Sequence, residues 1–121
     1  MTQPHRFPRA VFGVGSEPDP RFTLANERTF LAWIRTSLAL VAGGVAVDAV
    51  ALPLPAWTRA GTSLVLLLLG AALPVLAWWG WARTERALRL QRPLPGSLTA
   101  LPLAVGVAVA AALVVAGVVV R

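Results

Sequence analysis

Two stretches of this chain carry no charge for 23 residues each, Ala60 to Ala82 and Leu98 to Val120. At about 1.5 Å rise per residue each makes a helix of about 34 Å, enough to cross a hydrocarbon core of roughly 30 Å. Lipid offers no hydrogen bonds, so a run of this kind must satisfy its backbone internally and form a helix. A third apolar run, Thr29 to Ala51, is interrupted by Arg35 and Asp48. Its charge-free centre, Thr36 to Val47, spans only 12 residues and on its own also suits a buried helix or a signal-peptide core. It begins late for a signal peptide, and no clear small-residue cleavage site precedes a mature soluble domain. The expected fold is therefore an all-α membrane protein with three transmembrane helices, at about residues 29–51, 60–82 and 98–120.

With 57% hydrophobic and 13% charged residues, the composition falls far from that of a soluble domain. All eleven basic residues are arginine, and they are unevenly placed. Arg6, Arg9, Arg21, Arg28 and Arg35 precede or enter the first span, and Arg83, Arg86, Arg89 and Arg92 follow the second. Only Arg59 and Arg121 fall at the other end. The positive-inside rule then predicts the N-terminus inside and the C-terminus outside a multi-pass membrane protein. Trp33 and the group Trp78, Trp79 and Trp81 belong near the inner interface, and Trp57 near the outer one. The net charge of +6 has two readings, a topology signal or an anionic partner. No cysteine is present, which excludes disulfides, thiolate metal sites and cysteine nucleophiles. With one histidine and five acids, no nucleophile and base come together. No enzyme, cofactor, metal site or nucleic-acid partner is expected.

Along the chain, residues 1–19 carry prolines and glycines and read as a flexible N-terminal tail. His5 lies in that tail. "DPRF" looks like a helix start, with Asp19 as cap and Pro20 at the first helical position. The transmembrane domain is thus expected over 20–121, its first helix running from about Pro20 to Ala51 with a cytosolic extension of two turns. "PLP" at 53–55 ends it. The second span continues into "ARTERALRLQR" as a charged helix supported by Glu85 and Arg89 four residues apart, and Pro93 and Pro95 stop it. Pro74 and Pro102 fall inside spans. Small residues four apart, Ala42 and Ala46, Gly43 and Val47, then Ala108, Ala112 and Ala116, predict close helix approach.

Arg21, Arg28 and Arg35 are spaced by seven. Seven steps of about 100° bring each within roughly 20° of the last, so they form one stripe with rungs about 10.5 Å apart. Leu31, Leu38, Ala42 and Ala49 ascend the same face. In one reading Arg21 and Arg28 are topology signals and Arg35 snorkels to the headgroups. In the other, several copies of the helix turn the stripe toward a shared wet axis, since an arginine facing lipid at mid-depth costs about 2.5–3.5 kcal/mol on insertion scales. Rings of arginine select anions, phosphate included. Glu27 has no basic helical neighbour, which leaves Arg83 or Arg86 as inter-helix ion-pair partners, or plain solvation. Asp48 reads as a wet interfacial carboxylate.

The stretch "LANERTFLAWIRTSLALVAGGVAV" closely resembles the signature of the YidH-like family of small bacterial inner-membrane proteins, a domain of unknown function. The same domain forms the membrane part of the eukaryotic vacuolar transporter chaperone, a polyphosphate polymerase complex. The similarity covers roughly Arg21 to Val120, and "NERTFLAWIRT" is its specific part. It implies a three-helix membrane subunit, and in the vacuolar complex five such domains surround a polyphosphate channel lined by their first helices. By that resemblance Arg28 corresponds to a pore-facing basic position, Glu27 to the acid beside it, and Arg21 falls near a second basic position. Arg35 has no counterpart in the eukaryotic pattern, so its pore role rests on helical geometry. The leading expectation is a homo-oligomeric channel or transport subunit for anions, with phosphate or polyphosphate as cargo and a pentamer as the implied assembly. The alternative is a non-transporting accessory subunit that stabilises another membrane protein.

Overall fold

A computed structural model of the chain describes residues 6–121, and His5 lies outside them. The helices are α1 (Arg9–Phe12), α2 (Pro20–Ala49), α3 (Ala56–Arg89) and α4 (Ala100–Val120). The last three are each long and apolar enough to cross a membrane. Helix α2 starts where the capping signal stands: the Asp19 carboxylate accepts a 2.9 Å hydrogen bond from the Arg21 amide, and Pro20 opens the helix. It then runs unbroken past Arg35 for 30 residues. At about 45 Å it exceeds the bilayer core, so part of it stands outside. Helix α3 likewise continues through Pro74 to Arg89, joining span and charged extension in one element of 34 residues.

Pro102 lies inside the third span, as expected, but at its very start. Helix α4 begins at Ala100, which places Pro102 in its first turn, where a missing N–H leaves no hydrogen bond unmade. The Ser97 hydroxyl prepares that start by accepting from the amides of Thr99 and Ala100 at 3.3 and 3.1 Å.

The three long helices do not close into a bundle. Helix α3 lies in the middle, with α2 and α4 packed against it, while no Cα of α2 comes within 8 Å of a Cα of α4. Helices α2 and α3 meet along a seam of small polar residues. Ser37 Oγ donates to the Gly70 carbonyl at 2.5 Å, Ser63 Oγ to the Gly44 carbonyl at 2.8 Å, and Asn26 Nδ2 to the Trp81 carbonyl at 3.1 Å. A Cβ on Gly70 would lie 2.6 Å from Val41 Cγ2 and 3.1 Å from the Ser37 carbonyl oxygen, so glycine sets the approach distance. On the opposite interface Gly117 admits Thr58, whose Cγ2 would lie 2.5 Å from an added Cβ.

The small residues expected to form these contacts are not the ones that do. Ala42, Ala46, Ala108, Ala112 and Ala116 are all exposed, and a Cβ on Gly43 would make only an ordinary contact with Leu66. Steps of four residues drift about 40° each time, whereas eleven residues are three turns with a drift of about 20°. Asn26 and Ser37, Gly70 and Trp81, and Gly106 and Gly117 are each eleven apart, and each pair stays on its interface.

Candidate functional site

Charge concentrates at one end of the molecule, where α2 begins and α3 finishes. The inward face of α2 is occupied by Asn26, Ser37 and Gly44, all buried. Arg28 and Arg35 stand roughly opposite them on the wheel and are exposed, as are Arg21, Leu31, Leu38, Ala42 and Ala49. The heptad stripe is thus a continuous exposed face turned away from α3. Its lowest rung is engaged, since Arg21 Nη2 meets Asp19 Oδ2 at 2.9 Å. The Arg21 guanidinium, then the Arg21 amide, hold the Asp19 carboxyl below its ordinary value, against a lesser opposing effect of desolvation. Arg28 and Arg35 have no ion pair among the described residues.

Glu27, Arg83 and Arg86 are also exposed, and no ion pair joins them within the chain among those residues. The register explains why Glu27 does not find them within the chain. Asn26 takes the position facing α3, and the next residue is turned about 100° away. The acid between these helices is Glu85, only 1% exposed. Its carboxylate accepts from Asn26 Nδ2 at 3.2 Å and from Thr23 Oγ1 at 3.4 Å. Asn26 therefore ties the acid and the Trp81 carbonyl together, and α2 to α3 with them.

Glu85 does not pair with Arg89, although the two are four residues apart on one helix. Arg89 is 2% exposed and turns to the N-terminal segment. Its Nε donates to the Val14 carbonyl at 2.8 Å, Nη2 to the Phe12 carbonyl at 3.2 Å, and Nη1 to Glu17 Oε1 at 3.2 Å. The Ser16 amide returns a bond to the Arg89 carbonyl at 3.2 Å. Gly15 has φ +62°, and a side chain there would collide with that same carbonyl. Arg6 pairs with Glu17 as well and lies over the Phe12 ring, 4.4 Å from its centroid. Phe12 in turn meets Trp81, and Phe7 stacks on Trp78. The segment expected as a tail therefore carries α1, buries Val11, and docks on the charged end of α3 over residues 6–17.

Sequence reasoning missed Asn26, Glu85 and Arg89. The first two were legible as polar residues in line with an eleven-residue seam. The third needed the docked segment, which no local pattern announces. Chemically, the outward face of α2 offers unpaired guanidinium groups to an anion, while the inward polar groups are already satisfied by one another. No group of three His, Cys, Asp or Glu residues able to hold a metal forms among the described residues.

Residues 21–87 match the model of a family described as "Domain of unknown function (DUF202)". The chain is 45% identical over 83 residues to "Inner membrane protein YidH" of Escherichia coli K12, covering 68% of this chain and 72% of YidH. It is 46% identical over 108 residues to the "Uncharacterized protein Rv2272" of Mycobacterium tuberculosis H37Rv, covering 83% and 86% of the two chains. No solved structure gives a significant match.

Proposed function

This chain belongs to the DUF202 family and, like YidH, is a multi-pass inner-membrane protein, and on that footing we propose that several copies surround a common axis as an anion channel or transport subunit. The N-terminus lies inside and the C-terminus outside, in keeping with the clustering of arginines at one end. Each copy directs the outer face of α2 to the axis. Arg28 and Arg35 then form successive guanidinium rings, and Leu38, Ala42 and Ala49 line the narrower, less polar part beyond. An entering phosphate oxygen exchanges water for charge-assisted hydrogen bonds, and two moderate sites in series let the ion leave as well as enter. Phosphate and polyphosphate are the cargo suggested by the resemblance of "NERTFLAWIRT" to the membrane domain of the vacuolar complex.

The observation that carries this reading is that Arg28 and Arg35 stay exposed and without an ion pair among the described residues on one side of an unbroken helix, while the polar side chains on the inward face of α2, Asn26 and Ser37, are bonded to α3. The test is efflux of phosphate and of a short polyphosphate from liposomes containing the purified protein. Arg28→Glu should lower flux by about tenfold or more, as expected when a ring that attracts anions becomes one that repels them, while the number of copies per particle stays the same. Equal flux in Arg28→Glu and the parent protein would remove the reading. A silent parent protein that co-purifies with one other membrane protein would support the accessory role instead.

A further inference from the structure

The arginine-rich end also holds a cleft of about 330 Å³ between α2, α3 and the connection before α4. Phe30, Trp33 and Trp81 supply aromatic walls, and Thr29, Thr84 and Ser97 supply hydroxyls. Gly80 lines it too, and a Cβ built there meets no atom within 4 Å, so the wall is open at that point. No residue of α4 contributes to the lining, and α2 and α4 stay apart, which leaves the cleft exposed beside α3. Farther along the helices from the charged end its walls are Phe30, Trp33, Ala77 and Gly80, while Asn26, Thr29, Thr84 and Ser97 bring polar groups nearer that end. That order suits an amphiphile with its chain inward and its head at the charged end.

The charge of that head follows from the arginines next to the lining residues. Arg83 precedes the lining residue Thr84 in α3, and Arg92 lies two residues before the lining residue Leu94 in the connection to α4; both are exposed and have no ion pair among the described residues. Of the acids next to lining residues, Glu85 is buried and already bonded to Asn26 and Thr23, and Glu27 is turned about 100° away from Asn26. We propose that this cleft binds one anionic phospholipid, with an acyl chain between α2 and α3 beside Gly80 and the phosphate held at the mouth by Arg83 and Arg92. Guanidinium suits that task because its planar donors match two phosphate oxygens. The site is independent of the channel reading, since it lies on the α3 side of α2 and needs no transport.

Native mass spectrometry of the detergent-purified protein with chain-matched phosphatidylglycerol and phosphatidylcholine tests this. One phosphatidylglycerol should be retained per chain, favoured over phosphatidylcholine by about fivefold or more, the scale of one arginine at a charged surface. Gly80→Leu should fill the cleft and abolish retention of both lipids. The surface variant Arg83→Gln with Arg92→Gln should abolish the preference, lowering phosphatidylglycerol retention to the level of phosphatidylcholine. Equal retention of the two lipids by the parent protein overturns the proposal. So does undiminished phosphatidylglycerol in a helical Gly80→Leu protein, or a preference that survives the double variant. A Gly80→Leu protein that keeps its lipid but changes its number of copies would assign the cleft to a second copy instead.

Discussion

Arg89 and Arg35 are the same side chain under opposite conditions. Arg89 is 2% exposed, and its guanidinium is consumed by two backbone carbonyls and the Glu17 carboxylate. Arg35 stands exposed on the far face of α2 with no ion pair among the described residues. An enclosed cation with three of its donors bonded inside the chain is closed to an outside ligand, and its work is to join the N-terminal segment to α3. An exposed cation with no ion pair keeps its donors open to water or to a group outside the chain. The contrast teaches that arginines equivalent in a charge count divide into an enclosed, structural set and an exposed set with open donors, and that burial makes the division.

Substitutions should separate the two sets, and the largest effect belongs to Arg89. Arg89→Ala removes a charged donor from the Phe12 and Val14 carbonyls and should release the docked segment at a cost of about 2–3 kcal/mol. Faster amide hydrogen exchange at Val11 to Gly13 would report it, and unchanged protection would erase the contrast. Gly15→Ala comes next, at about 1–3 kcal/mol, because it imposes both a left-handed backbone and a collision with the Arg89 carbonyl. Here the same amides should lose protection while the α2 and α3 amides keep theirs. Arg35→Gln should move the melting midpoint in detergent by no more than about 0.5 kcal/mol equivalent while lowering anion flux. A large loss of stability would place Arg35 in the structural set. The smallest effect is at Asp19, whose folded carboxyl is held below its ordinary value of 3.8. Its cap on α2 is therefore complete above that pH and fades as pH falls through the lowered folded value. A carbon-13 titration should find the midpoint below 3.8, and one at or above it would contradict the Arg21 contact.

Much of this architecture is legible in one dimension because membrane helices obey local rules. The length of charge-free runs set the spans at 60–82 and 98–120, and α3 and α4 contain nearly all of them. "DPRF" announced the first turn of α2, which the Asp19 bond to the Arg21 amide realises. The heptad of Arg21, Arg28 and Arg35 survives as one exposed face because α2 has no break in it. The partners of Glu27 and Glu85 were not legible, since position along a helix specifies an angle but not which angle faces the neighbour. Four-residue stripes of alanine were misleading for the same reason. Alanine is common throughout these helices, and only at Gly44, Gly70, Gly106 and Gly117 does the opposing helix come too close for a Cβ.

What the sequence determined on its own is whatever follows from residue chemistry and helical pitch: three apolar helices, the cap on α2, and an arginine stripe along α2. Only the tertiary structure decided that α3 stands between α2 and α4, that Asn26 rather than Glu27 meets Glu85, and that residues 6–17 close over Arg89. The reason is that these outcomes depend on which helix faces meet and how closely. That is set by a few glycines and by hydrogen bonds between residues as far apart as 14 and 89, which no local pattern encodes.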